Sequence, residues 1–206
     1  MRAVATDKVV RRLTKDDILE RTAPLFAASG YAATSMRDLA KACGITPAAL
    51  YHHFADKDQL YLEVLEYTFR RRIGRMGEAL KGLTTFEDKV RRVVEVLVDA
   101  IHEDELFLPM LRRELLVQDE KRLEYLATRV FAEPFREIMR VGRDLPPANY
   151  RPSFLATSAL ALTIGHYTME PVRRYLMPSD TPEDLRQTVI DHVTDFALHG
   201  MRKDPK

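Results

Sequence analysis

The sequence predicts an all-α protein with a small N-terminal helical part and a larger C-terminal one. Three observations point there. Apolar residues recur three and four positions apart along most of the chain, which is the helix period. Val, Ile and Thr nowhere alternate with polar residues over a strand-length run. Capping residues, glycines and prolines divide the periodic stretches into helix-length segments. A chain of 206 residues with 46% hydrophobic and 31% charged residues has a globular composition, and it can bury a core without disulfides or metal. The net charge of +1 excludes a polyelectrolyte, so any nucleic-acid surface is a local patch. The single cysteine, Cys43, excludes a disulfide framework and a Cys-rich zinc site, and it suits a reducing compartment. No signal-like apolar run opens the chain, and the apolar window Phe154–Gly165 is too short to span a bilayer, so the expected location is cytoplasmic.

The elements follow in order. Residues 1–13 read as a flexible basic arm with Arg2, Lys8, Arg11 and Arg12. Thr14 with Asp17 forms a capping box for a helix whose face is Ile18, Leu19, Thr22, Leu25 and Phe26. Pro24 is expected to bend it, and Gly30 to end it in a left-handed conformation. Ser35 with Asp38 opens a helix to Cys43, which Gly44 ends. Thr46-Pro47 opens a short one to about His53, with Pro at the first helical position, where no donor is lost. Asp56 caps a helix over 57–76. Thr85 or Phe86 starts the next, through Val90, Val93, Val94, Leu97 and Ile101. Pro109 should interrupt, with a short helix from Met110 to Leu116 beyond it. A longer helix over 119–143 should kink or break at Pro134. Leu145-Pro146-Pro147-Ala148-Asn149 reads as a loop. A very apolar helix over 152–176 is expected to be interrupted near Pro171. Ser179-Asp180-Thr181-Pro182 should cap the last helix, over 181–201, with Leu185, Val189, Val193, Phe196 and Ala197 on its face.

Two short helices, 35–43 and 47–53, joined by Gly44-Ile45-Thr46, describe a helix-turn-helix. Ala48 and Ala49 are small enough to bring the second helix close to base edges in a major groove, and they can touch thymine methyls. Arg37 can fork onto a guanine. Thr34, Ser35, Thr46, Tyr51, His53 and Lys57 carry donors suited to phosphates. Lys57 at a helix start is locally unfavourable, which gives an external phosphate a physical motive. Tyr51 can pack its ring, reach a phosphate, or do both. Cys43 sits behind the helix pair as a small apolar residue.

The stretch from Phe26 to Leu60 resembles the TetR family of bacterial repressors. The residues that carry the likeness are Gly30-Tyr31, Thr34-Ser35, Leu39-Ala40, Gly44-Ile45, Leu50-Tyr51-His52-His53-Phe54 and Lys57-Asp58-Gln59-Leu60. The likeness covers about residues 14–65. It departs from the family pattern at Pro24, where a helix former is usual, and in the small size of the recognition-helix residues, so DNA shape should contribute to readout. The resemblance implies a helix-turn-helix DNA-binding domain over 14–60 and a helical ligand-binding and dimerisation domain over 61–206. It implies that Arg37 contacts DNA at the groove edge, that Thr46, Pro47, Ala48 and Ala49 lie at or near the bases, and that Tyr51, His52, His53 and Lys57 hold the backbone. It also implies a homodimeric transcriptional repressor on a near-palindromic operator in double-stranded DNA, released by a small hydrophobic or amphipathic effector. No enzyme activity, cofactor or membrane partner is expected.

In the larger part, Phe107, Met110, Leu111, Tyr125, Phe131, Phe135, Met139, His166, Tyr167 and Met169 are candidates to line the effector pocket, being aromatic or soft apolar residues. At their spacing they equally describe an ordinary helical core. On the helices over 152–176 and 181–201, Ala156, Ser158, Ala159, Ala161, Gly165, Ala197 and Gly200 allow close helix approach, either to a second copy, where the resemblance implies a two-fold four-helix bundle of these two helices with their copies, or within the monomer. Arg70-Arg71-Arg72 with Arg75 reads as an ion-paired or solvated face that can also reach phosphates. His102-Glu103-Asp104-Glu105 is consecutive, so its side chains diverge and no metal site is expected. A nucleophile–base set and a Gly-rich phosphate loop are missing from the sequence, which weighs against a catalytic reading.

Overall fold

The structure is a computed structural model that describes residues 13–143, 151–180 and 182–199. The basic arm up to residue 12, the Leu145–Asn149 loop, Thr181 and the end of the last helix beyond His199 lie outside these residues. The all-α expectation holds: the described residues form helices and connections, with no strand among them. None of these helices is long and apolar enough to cross a membrane. The chain divides into two compact units at Tyr67/Thr68.

The first unit contains α1 (Lys15–Ala33), α2 (Met36–Cys43), α3 (Pro47–Tyr51) and the first part of α4 (Lys57–Ile73). Thr14 and Asp17 close the expected capping box on α1, and Ser35 and Asp38 close the one on α2. Thr46 caps α3 by accepting from the Ala49 N–H at 3.2 Å. Ile18, Phe26, Leu39, Ala40, Leu50, Phe54, Leu60, Val64 and Leu65 are buried and form the core. Two details of α1 differ from expectation. Pro24 causes no departure from helical geometry; only Gly30 leaves it, at φ 77° and ψ 173°. Helical geometry resumes after Gly30 and continues to Ala33, so Gly30 makes a kink at positive φ rather than a terminus.

The second unit holds the rest of α4, then α5 (Met76–Ala79), α6 (Phe86–His102), α7 (Phe107–Val117), α8 (Glu120–Tyr125), α9 (Ala132–Gly142), α10 (Pro152–Leu176) and α11 (Leu185–His199). The helix expected to run to Met76 stops at Ile73, and α5 is separate. Pro109 does not interrupt: α7 begins at Phe107, and Pro109 falls in its first turn, where an amide N–H has no helical partner to lose. Pro134 follows a six-residue π-helical segment, Leu126–Phe131, that joins α8 to α9. The wider turn accommodates a residue that cannot donate to the Val130 carbonyl. Pro171 does not interrupt α10 either. The carbonyl it leaves without a helical donor is that of Tyr167, and Arg112 Nη2 of α7 donates to it at 3.0 Å. The start of α11 also moves, because Asp184 accepts from the Gln187 N–H at 3.0 Å and takes the capping role expected of Ser179 to Thr181.

The longest interface within this unit is between α6 and α11. Val94 and Val98 pack on Val189, Ile190 and Val193, with Leu162, Tyr167 and Leu185 around them. Arg91 pairs with Asp191 at 2.7 Å and Asp99 with Arg186 at 2.6 Å. Positions rise along α6 as they fall along α11, so the two helices are antiparallel, with an ion pair of opposite sense at each end.

Candidate functional sites

The helix-turn-helix is set by the turn between α2 and α3. Gly44 is left-handed at φ 71° and ψ 28°, a conformation that disfavours any Cβ. Its N–H reaches the Lys41 carbonyl at 3.1 Å, and the Ile45 N–H reaches Ala40 at 3.0 Å. Arg21 Nη1 of α1 adds a bond to the Cys43 carbonyl at 3.0 Å, so the carbonyls of Ala40, Lys41 and Cys43 at the end of α2 all have protein donors. Burial pushes the Cys43 thiol above its ordinary pKa, which keeps it protonated and unreactive.

The eleven positions proposed for DNA divide by what their polar atoms do. Thr34 is buried, and its hydroxyl donates to the Gly30 carbonyl at 2.7 Å. Lys57 Nζ donates to the carbonyls of Tyr31 at 2.9 Å and Thr34 at 3.0 Å, and lies 4.1 Å above the Tyr31 ring. It thereby closes the C-terminus of α1 and keeps a third N–H. Ser35 and Thr46 hold their helix N-termini. The Ser35 hydroxyl and N–H hold the Asp38 carboxyl below its ordinary pKa. Arg37, Pro47, Ala48, Tyr51 and His52 are exposed, and Ala49 and His53 are half-buried. Tyr51 is 51% exposed, so its ring is not a core element.

The second unit encloses a cavity of about 340 Å³. Ile73 of α4 and Leu97 and Ile101 of α6 line it, with Phe107, Leu111 and Leu115 of α7. Phe131, Pro134, Phe135 and Ile138 form another wall. Thr157, Leu160, Ala161, Thr163 and Ile164 of α10 complete it. No polar surface faces it. Four of the ten expected pocket residues are here: Phe107, Leu111, Phe131 and Phe135. The other six are elsewhere. Met110 is buried and its sulfur accepts from the Thr68 hydroxyl at 3.8 Å. Tyr125 ends α8, and Met139 is half-buried on α9. His166 faces His192 of α11 with ring centroids 5.1 Å apart. Tyr167 packs on the α6–α11 cluster, where burial pushes its hydroxyl up to about 12. Met169 is exposed. The residues of α6 and α10 that supply nearly half of the wall carried no chemical signal in the sequence, because Leu, Ile, Ala and Thr at helical spacing describe any core.

The basic run contains an ion-paired member, in keeping with its reading as an ion-paired face. Arg72 pairs with Glu103 at 2.9 Å and Asp104 at 3.4 Å, and its Nη2 caps α6 through the Glu103 carbonyl at 3.1 Å. Among the described residues no group of three or more His, Cys, Asp or Glu side chains is arranged to hold a metal ion.

Comparison with known proteins places this geometry. Residues 18–64 match the family described as bacterial regulatory proteins, tetR family. The chain is 23% identical over 200 residues to the HTH-type transcriptional activator FasR of Mycolicibacterium smegmatis, covering 94% of this chain and 87% of that one. It is 32% identical over 120 residues to the HTH-type transcriptional repressor KstR2 of the same organism, covering 58% and 56%. In fold it is similar to the transcriptional regulator FadR from Bacillus subtilis in complex with stearoyl-CoA. That match has a TM-score of 0.73 at 13% identity and covers 92% of this chain and all of that one. These relatives are named as transcription regulators.

Proposed function

We propose that this chain, a DNA-binding transcription regulator of the tetR family by its residues 18–64, is a homodimeric cytoplasmic repressor that an apolar or amphipathic effector releases from its operator. The observation that carries the DNA half is the exposed face of α2 and α3. Arg37, Pro47, Ala48, Tyr51 and His52 stand free of the core on two short helices joined by a left-handed Gly44. Pro47, Ala48 and Ala49 are small enough for close backbone approach to base edges, Arg37 suits a guanine, and Tyr51, His52 and His53 suit phosphates. Thr34, Ser35, Thr46 and Lys57 contribute by holding the helix ends that present this face, and the third N–H of Lys57 adds a phosphate contact.

The effector half rests on the cavity. FadR is described with stearoyl-CoA, an acyl ligand of the kind an apolar cavity accepts. Ile73 near the end of α4 lines the cavity, and Phe69 packs on two of its walls, Phe107 at 5.0 Å and Phe131 at 5.7 Å between ring centroids. A ligand there acts on α4, the helix that begins in the first unit, and shifts DNA binding by its differential affinity for the two states.

The dimer rests on α10. Phe154, Ser158, Gly165, Met169, Val172 and Leu176 form one stripe, uncharged and with large residues at both ends and small ones at the centre. A Cβ on Gly165 would meet nothing within 4 Å, so its smallness serves no packing among the described residues. Phe154, Met169, Val172 and Leu176 are each about half exposed or more. A two-fold crossing puts the small centre of one copy on that of the other. Binding of a dimer to two half-sites requires recognition helices about 34–36 Å apart, one turn of DNA. Repression follows KstR2 and activation would follow FasR; operator position decides the sign.

The test is fluorescence anisotropy of labelled DNA flanking the chain's own gene, across a salt series, since the protein contains no Trp. The expected result is tight, salt-dependent binding to a near-palindrome. Arg37→Ala should weaken it by about 1–3 kcal/mol and relax site choice at the guanine it reads, and Tyr51→Phe should weaken it without altering site choice. Affinity equal to that for random DNA, persisting after unfolding and refolding without ligand, would overturn the reading.

A further inference from the structure

The cavity of the second unit is built for hydrocarbon. Two threonines line it, yet neither offers it a polar atom. Thr157 Oγ1 donates to the Ser153 carbonyl at 2.9 Å and Thr163 Oγ1 to the Ala159 carbonyl at 2.9 Å. Each hydroxyl is turned back onto α10, and the surface presented to the cavity is wholly apolar. A hydroxyl, amide or carboxylate placed inside would lose its water partners and gain none.

Size and shape narrow the ligand further. An apolar cavity of about 150 Å³ holds one benzene ring, so 340 Å³ has room for roughly a dozen carbons. The walls run from Phe107 to Leu115 on α7 and from Thr157 to Ile164 on α10, each about two helical turns, or roughly 12 Å. Volume over length gives a mean cross-section of about 28 Å², which suits one flexible chain and is tight for fused rings. The exposed members of the lining are Leu115, Thr157 and Ala161, so the mouth lies between α7 and α10, and the buried members, among them Ile73, Leu97 and Ile101, lie away from it.

Resting on the reading of this cavity as the effector site, we infer that the effector carries an unsubstituted straight hydrocarbon chain of about ten to twelve carbons. The chain enters methyl end first between Leu115 and Ala161, and its polar head stays outside.

Calorimetric titration of the full chain with straight-chain alkanoates, from hexanoate to octadecanoate and without DNA, tests this. Each methylene that enters should raise affinity about fourfold, and the rise should stop near decanoate to dodecanoate. ω-Hydroxydecanoate should bind at least about tenfold more weakly than decanoate, because its hydroxyl would sit at the inner end. Ile164→Ala enlarges the cavity and should move the break upward by about two carbons, and Ala161→Phe narrows the mouth and should move it downward. Circular dichroism and thermal melts identify a variant that fails to fold, in which case the wild-type series decides. A rise continuing unbroken to octadecanoate, no binding at any length, or equal binding of the ω-hydroxy acid would overturn the inference. Such a failure leaves the operator reading intact, because no DNA is present, and a failed operator assay leaves the chain-length break unaffected.

Discussion

Burial holds the His166 imidazole below its ordinary value of 6.5, and the neighbouring His192 and Arg173 push it the same way. The unfolded chain therefore takes up this proton at a higher pH than the folded chain does. The stability this group contributes is fully present above about pH 6.5 and is lost as pH falls through that value toward the folded pKa. Thermal melts across that window should show a falling midpoint that His166→Phe flattens; an unchanged slope would place the titration elsewhere. The same residue scale shows why polar roles are hard to read in advance. Lys57 looks like a phosphate ligand because a cation at a helix start has no local reason to be there. Its partners are carbonyls 26 and 23 residues upstream, at the end of another helix. Thr34 was expected to present its hydroxyl to phosphate and instead bonds its own helix end, where its N–H turns to the Tyr31 carbonyl and its hydroxyl takes that of Gly30.

At the scale of elements, the prolines separate local from tertiary causes. Pro47 opens α3 where its chemistry says it should. Pro109 falls harmlessly in a first turn, a matter of where α7 begins and therefore of its neighbours. Pro171 would weaken α10, but Arg112 supplies the missing donor from α7 through the Tyr167 carbonyl at 3.0 Å, while its Nε donates to the Thr168 hydroxyl at 3.1 Å. Arg112→Ala should therefore destabilise the chain by about 1–3 kcal/mol, as expected for hydrogen bonds from a charged donor. Pro171→Ala restores the helical N–H, so the same Arg112 change should cost clearly less in that background. Urea unfolding of the double-mutant cycle reads the difference, and additive costs would mean that Arg112 does not compensate for the proline.

For the whole molecule, the stripe on α10 is the feature with the widest consequence. Val172→Glu places a charge on a face that is exposed in the single chain, so the fold should survive with an unchanged melting profile. Sedimentation should show a monomer, and operator binding should fall by at least about tenfold, since two half-sites are no longer held together. A variant that stays dimeric would mean that the copies meet elsewhere. Within the single chain, the buried Glu114–Arg122 pair, 2.8 Å apart, ties α7 to α8 beside the cavity. A carboxylate that is 1% exposed depends on such a partner, because an unpaired buried charge is strongly destabilising.

Periodicity, caps and turn residues are local quantities, and they determined the all-α class, most helix positions and the helix-turn-helix. Thr14, Ser35 and Thr46 each cap the helix their spacing announced, and Gly44 is left-handed where the turn requires it. The run from Gly30 to Leu60 was legible for the same reason: its chemistry lies within one short stretch of chain. The cavity was legible only in part. Phe107, Leu111, Phe131 and Phe135 stood out as large residues, whereas Ile73, Leu97, Ile138 and Ile164 became a wall only when four separate helices met. The directions of Thr157, Thr163, Lys57 and Arg112 were likewise decided by tertiary structure. A side chain's hydrogen-bonding partner depends on what lies within about 3 Å of it, and sequence distance does not measure that separation.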